Sequence, residues 1–273
     1  MMTQNERGLA FQTLHEADGA FVIPNPWDIG SAKLLQGLGF KALATTSAGF
    51  AHAIGRVDGE VSRDEKLAHC KALCDASELP ISADLENCFA DDPGEAAETI
   101  RLAGAAGLVG GSIEDYTNDP NAPIYDFSLA VERVHAAAEA ARALDCPFVL
   151  TARAEGLLRS NASFDDVVKR LQAFEAAGAD VLYAPALKTT EEVATVVSAL
   201  NTPINVLAPL IPGASVADLA NAGAKRISIG GALGRAVLGT LIRASEEMLN
   251  PGTFTWTQDM AGFGKIAGLL KGD

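Results

Sequence analysis

Three stretches place charged side chains where an apolar run stops. Ile81-Ser82-Ala83 leads directly into Asp84-Leu85-Glu86-Asn87, the run over 107–114 ends in Glu114-Asp115-Tyr116, and the run over 148–152 gives way to Arg153-Ala154-Glu155. Residues i and i+2 of a strand point the same way, so Asp84 and Glu86 are expected to reach one space. Paired hard oxygens suit Mg²⁺, which prefers oxygen ligands and keeps several waters. A second acidic strand end converging on that space repels the first, and a cation relieves the repulsion. Arg153 has the donor geometry to clamp a substrate carboxylate. In the competing reading the acids are idle in a solvated loop and Arg153 only pairs with Glu114 or Glu155. The abrupt end of an apolar run at Asp84 favours the chemical reading.

Other segments add weaker candidates. Asn25-Pro26-Trp27-Asp28 reads as a turn in which Asp28 caps the next helix, with Trp27 lining a cavity. Thr45-Thr46-Ser47-Ala48-Gly49 offers small residues whose backbone N–H groups can approach a carboxylate; tight packing explains them equally well. Asn205 stands inside an apolar Ile-Asn-Val. Gly230-Gly231 before a helical stretch is a candidate phosphate cradle, weakened because residues 208–214 hold no matching glycine pair. His15, His69 and His135 fall in helical stretches, and only His52 falls in a loop beside the acids. No lysine ends a strand, against Schiff-base chemistry, and no serine sits in a nucleophile elbow.

Eight apolar runs must position these groups: 21–24, 42–46, 81–84, 107–114, 148–152, 181–184, 204–207 and 226–230. Several are apolar almost throughout, as strands buried on both faces are. Amphipathic, Ala-rich stretches lie between them, at 64–77, 92–106, 129–144, 164–177, 190–200 and 216–222. Gly39, Gly107, Gly178 and Gly223 each follow such a stretch, the position of a left-handed helix cap. One helix per strand means parallel pairing through right-handed crossovers. Eight such units close a (β/α)8 barrel, whose reactive groups gather at the C-terminal strand ends. An open doubly wound sheet is the alternative, but no G-x-G-x-x-G follows the first strand. The expectation is one α/β domain over residues 1–273. Residues 238–273 form a helical extension, either capping the same barrel or packing on a neighbouring subunit.

The 273 residues suit one barrel, and a formal charge of −14 disfavours nucleic acid and anionic membrane surfaces. Cys70, Cys74, Cys88 and Cys146 match no zinc or redox spacing, so reduced thiols are expected. The N-terminal residues lack the pattern of a secretory signal, and no apolar run is long enough to span a bilayer, which makes a cytoplasmic location the expectation.

The order Pro24-Asn-Pro-Trp-Asp28, Thr45-Thr-Ser-Ala-Gly49, Gly55-Arg-Val-Asp58, Ala83-Asp-Leu-Glu86, Ile113-Glu-Asp115 and Ala152-Arg-Ala-Glu155 resembles the isocitrate lyase/phosphoenolpyruvate mutase superfamily, over about residues 21–235. The resemblance implies an α/β barrel, usually a homotetramer that exchanges C-terminal helices, and a homo-oligomer (tetramer or dimer) here. It implies Mg²⁺, with Mn²⁺ as a substitute, held largely through water by Asp84, Glu86 and Glu114, with Asp58 close by. It implies a small carboxylate substrate, held by Ser47, Ala48 and Gly49 and assisted by Arg153. Metal and arginine would stabilise an enolate as a bond beside it forms or breaks.

Departures from the superfamily narrow the reading. Its acidic motif is D-x-D-x-G-[YF]-G, whereas this chain has Asp84-Leu-Glu86-Asn-Cys88-Phe-Ala90, with glutamate for the second aspartate and both glycines gone. The loop that carries K-[KR]-C-G-H in isocitrate and 2-methylisocitrate lyases, and a Lys/Asn-bearing sequence in the mutases and phosphonopyruvate hydrolases, reads here Tyr116-Thr-Asn-Asp-Pro-Asn-Ala-Pro-Ile-Tyr125, without cysteine, histidine or lysine. It is a candidate lid. Asp58, Tyr116, Asn118 and Tyr125 are candidate proton carriers, and Trp27 and Asn205 candidate substrate contacts. The expected activity is a Mg²⁺-dependent carbon–carbon lyase or decarboxylase on a small 2-oxo or 2-hydroxy di- or tricarboxylate. The alternatives are action on a P–C bond and a non-catalytic carboxylate binder.

Overall fold

The computed structural model describes residues 2–272. Its eight strands are β1 (Phe21–Ile23), β2 (Leu43–Ala44), β3 (Ile81–Asp84), β4 (Gly110–Glu114), β5 (Val149–Arg153), β6 (Val181–Tyr183), β7 (Ile204–Leu207) and β8 (Arg226–Ser228). Seven fall inside one of the eight apolar runs, and β5 extends one residue past its run to include Arg153. The helices are α1 (Gln4–Glu16), α2 (Ile29–Gly37), α3 (Ser47–Ala53), α4 (Arg63–Ala76), α5 (Pro93–Ala105), α6 (Phe127–Arg142), α7 (Gly156–Arg159), α8 (Phe164–Ala176), α9 (Thr190–Ser198), α10 (Val216–Asn221), α11 (Ala232–Leu249) and α12 (Phe263–Lys271).

All strand pairs are parallel, in the order β1-β8-β7-β6-β5-β4-β3-β2. The remaining seam, β1 to β2, is bridged by Ala44 N–H donating to Pro24 O at 3.0 Å and Asn25 Nδ2 donating to Thr45 O at 3.0 Å. The fold is therefore the (β/α)8 barrel. Gly39, Gly107, Gly178 and Gly223 take φ between +93° and +98°, the left-handed caps that return each helix to the next strand.

The N-terminal end of the barrel is plugged from below. Phe11 of α1 is fully buried in a cluster with Ile23, Ala42, Ala44, Val109, Val149 and Val181. A Cβ on Gly110 would lie 2.8 Å from the Phe11 ring, so glycine there makes room for the plug. The C-terminal extension ends in α12, which lies on α2 of the same chain; Gly37 admits the Leu269 carbonyl where a side chain would collide. The four cysteines are free thiols. None of the described helices is long and apolar enough to cross a membrane.

Phe11→Ala should leave the opposite end of the barrel intact while opening the plug. We expect a loss of about 3–4 kcal/mol, read as a melting temperature lower by about 10 °C.

Candidate active site

A cavity of about 530 Å³ opens at the C-terminal strand ends. Arg153, the last residue of β5, reaches into it. Its Nη1 lies 2.8 Å from Asp84 Oδ1 and 3.1 Å from Glu114 Oε2, and its Nη2 lies 2.7 Å from Glu155 Oε1. The Tyr183 ring covers the guanidinium at 5.2 Å. Strand register explains the convergence. Glu114 of β4 pairs with Arg153 of β5, and Asp84 of β3 pairs with Ser112 of β4, so their side chains face the lumen.

Alternation along β4 separates the two acids at its end. Glu114 faces the cavity, whereas Asp115 points away and builds the frame: its Oδ1 accepts the Glu155 N–H at 2.7 Å and its Oδ2 takes Arg170 Nη1 at 3.3 Å. Asp84 is held from several sides. Its Oδ2 accepts the Ser47 N–H at 3.2 Å, and its own N–H donates to Thr45 Oγ1 at 3.0 Å.

Burial and charge divide the acids. Burial pushes the Asp84 carboxyl up, but Arg153, Lys66 and the Ser47 and Glu86 amides outweigh it and hold the group below its ordinary value. Glu86 is raised to about 7 by burial and by the Asp84 charge. Glu114 is pushed well above the usual range by burial, against the pull of Arg153. Arg153 itself remains firmly cationic, because Glu114, Glu155 and Asp84 surround it.

Glu86 does not arrive by strand alternation. β3 ends at Asp84, and Glu86 sits in the following turn at φ +52°. Cys88 and Phe89 also take positive φ, both +57°. The turn is held by Arg133 of α6, which is almost fully buried and donates to the carbonyls of Asn87 at 2.6 Å, Asp91 at 2.8 Å and Ala90. Tyr125 accepts from Asn87 Nδ2 at 3.0 Å, donates to Asp91, and lies under the Arg133 guanidinium at 4.1 Å.

Of the expected residues, Ser47, Ala48, Asp58, Asp84, Glu86, Glu114, Tyr116, Asn118, Arg153 and Asn205 line the one cavity. Trp27, Gly49 and Tyr125 do not, the Tyr125 hydroxyl being taken up by Asn87 and Asp91. The Trp27 indole lies beside Gly234 of α11, and a Cβ on Gly49 would meet Thr46 Cγ2 at 2.5 Å and Trp27 Cβ at 3.0 Å. Asp28 caps α2, accepting from Ser31 N at 2.6 Å. The amides of Ile229 and Gly230 both donate to Asn25 Oδ1, at 3.0 and 2.9 Å, so a phosphate cradle there would compete with a protein acceptor. Residues 117–124 form a hairpin closed by a Tyr116–Ile124 bridge, with Arg159 stacked on Tyr116 at 4.5 Å.

Three buried cations were not among the expected site residues: Lys66, Arg133 and Arg226. Lys66 is fully buried on α4, and among the described residues its Nζ has no hydrogen-bond partner. Among the described residues, no three His, Cys, Asp or Glu side chains gather as a direct metal cage. The Arg153 guanidinium stands between Asp84 and Glu114 and keeps them apart. The all-oxygen set does fit a cation held largely through water, because among the described residues no protein donor reaches the Glu86 carboxylate and acids outnumber Arg153 in the cavity.

The Glu86 shift sets a pH dependence for the metal-free protein. Between about pH 4.5 and 7 the folded state keeps a proton that the unfolded chain has released, so stability falls as pH rises through that window. Glu86→Gln removes that penalty. It should stabilise the metal-free protein by about 2–3 kcal/mol at pH 8 and by almost nothing near pH 4.5, measured by thermal melts at the two pH values.

Over residues 11–249 the chain matches the phosphoenolpyruvate phosphomutase family. It is 51% identical to a Burkholderia cenocepacia J2315 protein provisionally described as a lyase/mutase, with a TM-score of 0.94 over 97% of this chain and 95% of that one. A 2,3-dimethylmalate lyase of the PEP mutase/isocitrate lyase superfamily is 25% identical, with a TM-score of 0.84 over 99% and 96%. The 2-methylisocitrate lyase of Escherichia coli K12 is 27% identical across 68% of this chain and 64% of that protein. Barrel, acid-and-arginine mouth and sequence similarity agree: this chain belongs to the phosphoenolpyruvate phosphomutase family, within the PEP mutase/isocitrate lyase superfamily.

Proposed function

We propose that this protein is a Mg²⁺-dependent carbon–carbon lyase or decarboxylase for a small 2-oxo or 2-hydroxy di- or tricarboxylate. The observation that carries this reading is the convergence of Arg153 with Asp84, Glu114 and Glu155 at the cavity mouth. Asp84, Glu86 and Glu114 would hold the cation, largely through water. When bound, the metal supplies a Lewis acid that polarises the 2-oxo oxygen.

The chain's own groups do the rest. Arg153 is held in place by three carboxylates before substrate arrives, so its N–H groups need little reorganisation to face a developing enolate oxygen. Ser47 and Ala48, at the start of α3, face the substrate carboxylate. Tyr116 and Asp58 line the same cavity and would deliver a proton to the enolate carbon. The 117–124 hairpin excludes water when it lies over the mouth. Mn²⁺ would serve the same oxygen donors. Val237, Leu241, Ile242 and Leu249 of α11 are exposed and apolar, the face a second copy would cover in a homo-oligomer.

Purified protein incubated with oxaloacetate should form pyruvate faster than the spontaneous rate with Mg²⁺ present and not without it. Arg153→Ala should lower kcat by about 10²–10³. Unchanged turnover in that variant would remove the enolate-stabilising role. Phosphate release from phosphonopyruvate, with no oxaloacetate turnover, would move the assignment to P–C chemistry.

A further inference from the structure

The cavity holds a second buried guanidinium that no acid among the described residues answers. Arg226 of β8 is 5% exposed and lines the same cavity as Arg153. Register places the two on the same face of the sheet: Arg153 pairs with Tyr183, Tyr183 with Asn205, and Asn205 with Arg226. All four therefore face the lumen, with the arginines three strands apart. Arg153 has three carboxylate partners. Among the described residues, Arg226 has none within ion-pair distance, and its Nη1 is buried without a hydrogen-bond partner.

One edge of the Arg226 guanidinium is held. Its Nε donates to Asn205 Oδ1 at 2.9 Å, and Asn205 Nδ2 donates to Ser228 Oγ at 3.0 Å. Ser112 Oγ also lines the cavity and is buried without a partner. Burial lowers the Arg226 pKa to about 10, with Tyr183 opposing and the Arg153 charge adding to the fall, so the group is still cationic at neutral pH. His15, on α1 below, feels Arg226 as a like charge and is itself lowered to about 3, chiefly by burial. A buried charge with no counter-charge is costly, and proteins pair such charges as a rule. Here the missing counter-charge has a route in, because the residue lines the cavity.

We propose that Arg226, oriented by Asn205 and Ser228, is a subsite for the distal carboxylate of the substrate. It rests on the carboxylate-substrate reading above and sharpens it: the preferred substrate carries two anionic groups, one near Arg153 and one on Arg226. Asn205 acts here as a positioning residue, aiming the guanidinium, and Arg226 discriminates di- from monocarboxylates. A site with an unanswered buried cation gains from a ligand that supplies the anion and gains nothing from one that lacks it.

The test compares malate with lactate, which share the 2-hydroxy carboxylate and differ in the distal one. Binding is measured calorimetrically with Mg²⁺ present. The native protein should bind malate at least about tenfold more tightly than lactate, and Arg226→Met should weaken malate by about 10–100-fold while leaving lactate within about twofold. Arg226→Lys, which keeps the charge and loses the fork, should fall between them and serves as the readout if the methionine variant does not fold. Equal losses for both ligands, an unaffected malate affinity, or no malate binding by the native protein would each overturn the subsite. The two readings fail separately. Mg²⁺-dependent oxaloacetate turnover with kcat and KM unchanged in Arg226→Met removes the subsite and keeps the lyase. Arg226-dependent malate binding in a protein that turns over no 2-oxo acid removes the lyase and keeps the subsite.

Discussion

The site depends on one charge balance in a space of low dielectric: the Arg153 guanidinium against Asp84, Glu114 and Glu155. Removing a partner from such a group leaves an uncompensated buried charge, at a cost of about 3–5 kcal/mol. The arrangement is therefore costly to break. It is also narrow in its geometry, because each member sits on a different support. Asp84 and Glu114 stand at the ends of neighbouring strands, and Glu155 is fixed through its backbone N–H by Asp115. Parallel register sets the level of the strand-borne groups, and Asp115, on the outer face of the same β4 end, sets the loop-borne one. A one-residue slip of β4 would exchange Glu114 and Asp115 and lose both functions together.

The turn after β3 shows the same logic applied to backbone. A non-glycine residue in the left-handed region costs about 1–2 kcal/mol. Glu86, Cys88 and Phe89 all adopt it, in a segment from which the superfamily's glycines are missing. Buried interactions hold the conformation instead. Arg133 binds three carbonyls of the turn, and Thr99 Oγ1 donates to Cys88 O at 2.7 Å. The turn thereby presents the Glu86 carboxylate to the cavity at a place that strand geometry alone would not give.

The barrel was legible because its strands are buried on both faces and read as apolar runs, and because four of its helices are followed by a glycine in the left-handed conformation that other residues adopt only at a cost. The acids were legible where charge interrupts such a run. What was not legible is which way a charge inside an element points. Arg226 opens its apolar run and reads as a boundary residue, yet register turns it inward beside Phe21 and Asn205. Arg133 lies on the same helical face as Ala130, Val134 and Ala137, and that spacing was its one available signal. Lys66, one turn before Cys70, carried the same signal on α4. Trp27 and Gly49 show the converse: an aromatic and a glycine beside the cavity fit each other and not its lumen.

The charges left unanswered are not scattered. Among the described residues, Glu86 lacks a donor, and Lys66 Nζ and Arg226 Nη1 lack acceptors; all three are buried, with Glu86 and Arg226 on the cavity and the Lys66 charge felt by Asp84 and Glu86. A core selected for stability alone would replace such groups with apolar ones of similar size, often at a gain. Their retention around one cavity therefore points to a site that is electrostatically incomplete by itself. Surplus carboxylate on the Asp84–Glu86 side calls for a cation, and the bare guanidinium on the β8 side calls for an anion. A metal-bound dicarboxylate brings both charges, and in the right order across the barrel. Stability withheld from the empty protein becomes binding energy that a ligand with only one of the two charges cannot collect in full.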